Sequence, residues 1–358
     1  MNQHDAPLIT TVVPTYRRPH LVGRALRSVL EQTFPRVRAL VCDNASGDDT
    51  AAVVRRIAER DDRVEYHAHP ANIGSYNNFN FGINSVRTPF FSLLSDDDML
   101  APDFYRQAMA AFEAHPDAMF VCVATIVIDE QGRVISPPIA VPQPRYFAAG
   151  EGFEAIATLQ VPNTWTGIVF RAEVRDRIGL IDVDAGPFVD GSYVCHAAAR
   201  FAFVVMPGIA AALVAHPAST SGTTGTLDRR WLEWDERMIA TIERDPEISA
   251  AAREHVRRLF KRDYRKIALL QIGHALSEDD VESARRTAIG LSDCGYPLTS
   301  LLLRLGIEIC RWIWPARIAL QWLKHARRQR VERERDEINQ DCKDQAAFVE
   351  PLLRIDRP

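Results

Sequence analysis

Between residues 8 and 118, short apolar runs rich in β-branched residues alternate with stretches whose apolar positions recur every three or four residues. LITTVVP (8–14), VRALVCD (37–43), VEYHAH (64–69) and PFFSLLS (89–95) have the length and composition of strands. HLVGRALRSVLEQTF (20–34), DDTAAVVRRIAER (48–60), SYNNFNFGINSV (75–86) and PDFYRQAMAAFEAH (102–115) have helical spacing. The last of these opens with Pro102 in its first turn and Asp103 placed favourably for the helix dipole. Strict strand–helix alternation predicts a mostly parallel, partly mixed and twisted α/β sheet flanked by helices. Ligands then bind beyond the carboxyl ends of the strands.

From 119 the pattern turns irregular. A strand is expected at MFVCVATIVID (119–129), a proline-rich loop at 135–146 and a strand at TWTGIVF (164–170), followed by the segment 188–207. These read as the same domain continuing, so that residues 1–225 divide into a first half, 1–118, and a second, 119–225. After the Gly/Ser/Thr stretch SGTTG (221–225), residues 226–358 are helical in pattern, a C-terminal extension.

Composition narrows the class. Hydrophobic residues make up 47% and charged residues 25%, with a net charge of −4, so the chain reads as globular with no global drive toward nucleic acid. Six scattered cysteines form no CxxC pair and read as reduced thiols of a cytoplasmic protein. The N-terminus lacks the basic and apolar regions of a signal peptide, and no run of about 18 uncharged apolar residues predicts a membrane span.

The chemistry is expected where the strands end. Pro14-Thr15-Tyr16 follows the first, Asp43-Asn44-Ala45-Ser46-Gly47 the second, and Ser95-Asp96-Asp97-Asp98 the fourth. Three adjacent aspartates repel one another unless a cation or hydrogen-bond donors absorb the charge; a solvated turn is the plainer account of such a run. Neither GxGxxG nor GxxxxGK[ST] follows the first strand, which argues against a dinucleotide fold and a P-loop ATPase. Carboxylates without a phosphate cradle suit a diphosphate held through Mn²⁺ or Mg²⁺, hard cations that take oxygen ligands.

VVPTYRRPHLVGRALRSVLEQTF followed by VCDNASGDDT resembles the opening of the family 2 glycosyltransferases. N-I-G (72–74), the Asn80-x-Gly82 pair, SDDDMLAP (95–102), GIVFRAEVRDRIGLID (167–182), Asp190 and HPASTS (216–221) continue the likeness in order over roughly residues 8–221. The resemblance implies a GT-A fold, an inverting mechanism and a nucleotide-diphospho-sugar donor based on UDP, dTDP or GDP. The acceptor would be a saccharide or lipid-linked saccharide of a cell-surface polysaccharide or glycolipid precursor, and the transferred group a hexose or deoxyhexose. Pro14, Thr15, Tyr16, Asp43, Asn72, Asp96 and Asp97 would contact the nucleotide-sugar. Asp98 and Asp96 would be metal ligands, joined by His216. Asp190 would be the general base, with Asp182 and Asp184 as neighbouring acids, and Trp165 and Thr166 would line the acceptor pocket. The chain departs from the family at Ser95 and Val189, where many members carry acids, and at Phe79, where an Arg is common. Arg17, Arg18 and Asn78 are further polar candidates.

Residues 298–330 combine three Trp and many Leu and Ile with seven Arg or Lys and one Glu. Such a basic amphipathic pattern suits an anionic membrane interface at the cytoplasmic face of the inner membrane, with packing on the catalytic domain or in a homo-oligomer as the alternative. Two other activities fit parts of the sequence. A sugar-nucleotide nucleotidyltransferase would want a glycine-rich loop after the first strand, and a catalytically inactive scaffold would not need Asp96, Asp98 and Asp190 intact.

Overall fold

The computed structural model describes residues 6–186, 189–215, 229–259, 264–277 and 280–312, then 333, 337, 338, 340, 342–344 and 346–353. Four parallel strands form its first half: β1 (Ile9–Thr15), β2 (Val37–Asp43), β3 (Val64–Ala68) and β4 (Phe90–Leu93), in the spatial order β3-β2-β1-β4. The sheet continues through β9 (Ile168–Arg171), β6 (Phe120–Ile128), β10 (Phe203–Val214) and β5 (Met99–Leu100). β9 runs antiparallel to both β4 and β6, so the seam between the two halves is antiparallel, while β10 returns parallel to β6. Short strands β7 (Val134–Ser136) and β8 (Arg145–Phe147) add to β6 and β10 at the ends of the proline-rich loop. This is the mixed, mostly parallel α/β sheet expected of the sequence.

β1 is buried along its whole length because helices cover both faces, as parallel sheets require. Its side chains alternate: Ile9 and Val13 join the core beneath α1 (Pro19–Leu30), α2 (Thr50–Ala58) and α4 (Phe104–Ala114). Val12 joins the opposite core, with Phe79 and Ile83 of α3 (Ser75–Ser85). α3 lies so close to β1 that a Cβ on Gly82 would stand 2.2 Å from Val12 Cγ1. That closeness explains a glycine inside a helix.

Three local readings are corrected. α4 begins at Phe104, with Asp103 at its cap and Pro102 outside it. The Pro102 carbonyl instead accepts from Thr33 N–H at 2.9 Å, and the Asp103 carboxylate accepts from the Thr33 hydroxyl at 2.7 Å. Trp165–Gly167 is a 3₁₀ turn, and the strand starts only at Ile168. Gly167 presses against the Val123 carbonyl, where a Cβ would come within 2.3 Å of the oxygen, too near for regular pairing with a side chain in place. Met99–Leu100, directly after the aspartates, pairs with β10 as a strand that the sequence pattern does not announce.

The second half supplies α5 (Phe153–Ala157), α6 (Ala172–Ile178) and α7 (Val189–Arg200). The core they share runs on past residue 225: Met238 and Ile242 of α8 (Arg229–Arg244), Ile248, and Val256 of α9 (Ala250–Leu259) belong to the same cluster as Phe79, Phe170 and Val194. By contrast, α10 (Tyr264–Ser277), α11 (Val281–Asp293) and α12 (Pro297–Trp312) pack chiefly on one another, through Tyr264, Ala268, Leu291 and Ile307 among others. α13 (Val349–Leu353) returns to the sheet, where Val349 and Leu352 meet Met99, Ile128 and Val214.

Candidate active site

A cleft of about 710 Å³ opens beyond the carboxyl ends of β1, β2 and β4 and extends to the start of α7 and the end of β10. Its walls include Pro14, Thr15, Tyr16, Arg18, Asn44, Asn72, Ser95 to Asp98, Trp165, Thr166 and Asp190.

The three aspartates do not share one surroundings. Asp96 is 4% exposed and accepts from the Thr15 hydroxyl at 2.7 Å and from Arg18 Nη1 at 2.9 Å. The same Arg18 nitrogen donates to Asp97 at 2.8 Å, so one guanidinium bridges two neighbouring carboxylates. Arg24, buried beneath, donates to the Asp97 backbone carbonyl at 2.7 Å and holds the turn. Asp98 points elsewhere: its carboxylate accepts from Val214 N–H at 3.1 Å and faces the Thr166 hydroxyl at 3.4 Å.

Burial is the main cause that pushes the Asp96 carboxyl up to about 6, helped by the charge on Asp97 and opposed by Arg18 and Thr15. Burial and then Asp97 also hold Asp98 well above the usual carboxylate range. Two buried carboxylates, Asp96 and Asp98, whose negative charge Arg18 offsets only in part, fit a hard divalent cation, whose remaining positions phosphate oxygens and water can fill. Among the described residues no three His, Cys, Asp or Glu side chains converge as a protein-only metal cage. His216 lies outside the described residues.

The loops after β1 and β2 are laced together. Asn44 N–H donates to the Thr15 carbonyl at 3.0 Å, Arg17 N–H to the Ser46 hydroxyl at 2.8 Å, and Ser46 N–H to Asp43 at 2.9 Å. This web holds Arg17 and Ala45 in the left-handed region, at φ 56° and 61°, an uncommon backbone for residues with a Cβ. The other Asp43 oxygen accepts from Tyr66 O–H at 2.6 Å. Asp43 is 3% exposed and serves these loops, whereas the next residue, Asn44, reaches the cleft wall. Asn44 also receives Ile73 N–H at 2.8 Å and donates to Asn72 at 3.0 Å, which fixes the loop that enters α3.

Asp190 occupies the first turn of α7, accepts from Gly191 N–H at 2.8 Å and borders the cleft beside Tyr76. Burial raises its carboxyl above the ordinary range. The neighbouring acids lie outside the cleft walls: Asp182 and Asp184 pair with Arg237 of α8, and Asp182 is held low because those hydrogen bonds outweigh the effect of burial. Trp165 leans on Phe79, ring centres 4.5 Å apart, and is 8% exposed. Thr166 is 1% exposed and faces Asp98. Arg18 takes a larger part than its place among several polar candidates suggested. Its signal was the spacing of a basic pair directly after a strand that abuts the aspartate strand.

The family described as Glycosyl transferase family 2 matches residues 10–169. The chain is 34% identical over 95 residues to the GalNAc(5)-diNAcBac-PP-undecaprenol beta-1,3-glucosyltransferase of Campylobacter jejuni, a stretch that covers 26% of this chain and 31% of that protein. This chain therefore spans about a third of the length of that relative. Its fold is similar to that of S. aureus TarS residues 1–349 in complex with UDP-GlcNAc, with a TM-score of 0.61 at 13% identity, covering 85% of this chain and 91% of that one. It is also similar to the mannosyltransferase PcManGT from Pyrobaculum calidifontis in complex with GDP-Man and Mn²⁺. There the TM-score is 0.52 at 16% identity, covering 88% and 83% of the two chains.

Proposed function

Residues 10–169 of this chain are a family 2 glycosyltransferase domain, and from that premise we propose that the protein is an inverting, metal-dependent glycosyltransferase. It moves a sugar from a nucleotide-diphospho-sugar to an acceptor hydroxyl by a single displacement. The observation that carries this reading is one cleft into which two separate carboxylate groups open: Asp96 and Asp98 from the end of β4, and Asp190 from the start of α7.

Pro14, Tyr16, Asn44 and Asn72 border the nucleotide, with Asp43 and Thr15 behind them setting the shape of that wall. Asp97, joined to Asp96 through Arg18, stands at the ribose side. Asp98 and Asp96 hold Mn²⁺ or Mg²⁺, which when bound supplies positive charge toward the departing diphosphate. Asp190 accepts the proton of the acceptor hydroxyl. Burial raises its pKa, which makes it a stronger base than an exposed carboxylate. Trp165 forms part of the acceptor side.

The acceptor class is a saccharide or lipid-linked saccharide, in line with the undecaprenol-linked substrate in the name of the Campylobacter relative. An outer stripe of α12 supports contact with an anionic bilayer: Leu298, Leu301, Leu302 and Leu305 are 50–70% exposed at i, i+3, i+4 and i+7. Leu303 and Ile307 face inward onto α10 and α11. A helix apolar on both faces needs a second cover, and the basic content of 298–330 selects anionic headgroups over another apolar protein face. Among the described residues no helix is long and apolar enough to cross a membrane. Sedimentation with phosphatidylglycerol vesicles but not phosphatidylcholine vesicles is expected; a dimer that ignores both overturns the membrane assignment.

The test of activity is a screen of UDP-, dTDP- and GDP-sugars with Mn²⁺ or Mg²⁺, read as nucleoside diphosphate release and as thermal shift. One donor class should raise the melting temperature, and Asp98→Ala should remove the metal-dependent part of that shift. Absence of release with every donor and either metal would sink the enzyme reading.

A further inference from the structure

The helix that carries Asp190, α7, and the helix that braces its entry, α8, both lie beyond residues 10–169. The segment that leads into α7 is fastened at three successive points. The Asn80 side chain of α3 grips the backbone of Ile181 from both sides, accepting from its N–H at 2.9 Å and donating to its carbonyl at 2.9 Å. Arg237 of α8 then takes Asp182 and Asp184 together, with Nη2 donating at 3.1 Å and 2.9 Å. Gly186 stands at φ +67° against Trp234 of α8, where a Cβ would lie 2.1 Å from the indole ring. Asp190 follows four residues later. The far end of α7 is fastened to the α8–α9 turn, where Asp245 accepts from Arg200 at 2.9 Å and pairs with His196 at 2.9 Å.

We infer that Trp234 and Arg237 are positioning residues for Asp190, so that the proton-transfer step depends on α8 while nucleotide binding does not. This rests on the reading of Asp190 as the base. The contacts of Arg237 are solvent-exposed, 46% for its own side chain and 30% and 68% for its two partners. Exposed ion pairs of this kind contribute little to stability, too little to explain their arrangement as a device for holding the fold together. What they do fix is where the chain enters α7, and displacement of a catalytic group by about 1 Å can cost on the order of a hundredfold in rate. The Gly186–Trp234 contact acts in the same sense: no residue with a side chain fits there without moving α8 or the loop. Among the described residues the donor wall has its own set of bonds: Thr15 and Arg18 to Asp96, Arg18 to Asp97, Asn44 to the Thr15 carbonyl and to the loop that enters α3, and Asp98 to β10.

The test compares Arg237→Ala, Arg237→Lys and Trp234→Phe in the full chain. Hydrogen–deuterium exchange should rise by about tenfold or more in residues 181–194 of Arg237→Ala and stay unchanged in β1 and β4. With the nucleotide-sugar that the wild type turns over, kcat should fall by about tenfold or more with the donor KM unchanged, and Arg237→Lys should recover part of the loss. Wild-type exchange in 181–194, or wild-type kcat in both Arg237→Ala and Trp234→Phe, overturns the inference. A fully active Asp190→Asn overturns instead the assignment of the base, and the exchange experiment still decides whether α8 holds this segment.

Discussion

Among the residues of the cleft, three carboxylates that stand side by side in the sequence are separated by what each one meets. Asp96 shares Arg18 with Asp97, and Asp98 turns toward β10. The folded-state pKa of Asp96, about 6, lies above the ordinary carboxylate value, so its ionised form costs stability above about pH 6, and the cost fades as pH falls toward 4. In metal-free protein, Asp96→Asn should therefore stabilise the fold by roughly 1–3 kcal/mol at pH 7 and by little at pH 4. Urea denaturation at both pH values checks this; equal gains at the two would show that charge is not the cause. Asp190 is also raised by burial, and as the proposed base it has to be ionised to act. The acid limb of kcat is expected above the ordinary Asp range and should disappear with the activity in Asp190→Asn, while UDP or GDP binding with Mn²⁺ persists. Asp96 to Asp98 stood out in the sequence because carboxylates after strands are chemically conspicuous, whereas Asp190, on a helix, was singled out only by the likeness to the family. That Asn44 rather than Asp43 lines the cleft was not legible, because which of two adjacent residues meets a cleft depends on the phase of the strand and the turn after it.

At the scale of elements, the sequence pattern located β1 to β4 and α1 to α4 well. Each is a local run whose covering face follows from its own periodicity. It did not announce β5, a two-residue strand that exists only because β10 lies beside it, or the 3₁₀ turn at Trp165–Gly167. Both are products of tertiary neighbours. The closest helix–sheet contact carries its own prediction. Gly82→Ala places a methyl group 2.2 Å from Val12 Cγ1 and must push α3 off β1, at a cost of about 1–3 kcal/mol in denaturant unfolding. An unchanged midpoint would mean that α3 is free to shift. The effect should reach the cleft as well, since Asn78 of α3 donates to the Cys42 carbonyl at 2.7 Å and Asn80 grips Ile181.

Across the whole molecule, the helical pattern after residue 225 was visible in the sequence, but its partition was not. Amphipathic spacing says that a helix has a face to bury, not which surface receives it. α8 and α9 join the main core, α10 to α12 cover one another, and α13 closes over the β10 edge. The joint between α7 and the α8–α9 turn is titratable. Burial, outweighing Asp245, holds the pKa of His196 below its usual value, so the folded chain resists a proton that the unfolded chain accepts near pH 6.5. Stability carried by neutral His196 is thus present above that pH and is lost as the solution is acidified through it. Because Asp96 gains stability over the same range, the test is a comparison of variants: the advantage of the wild type over His196→Gln in urea denaturation should shrink between pH 7 and pH 5.

One hydrogen bond described above also governs the order in which the protein becomes complete. Asp98 receives its backbone partner from Val214, 116 residues further along the chain. A chain made from its N-terminus exposes the acidic turn long before β10 can reach it, and α7 is made before α8. Throughout that interval the growing polypeptide carries the acidic turn without its β10 partner and the proposed base without its anchor. On the proposed roles, full activity waits until β10 and α8, through residue 244, have been made.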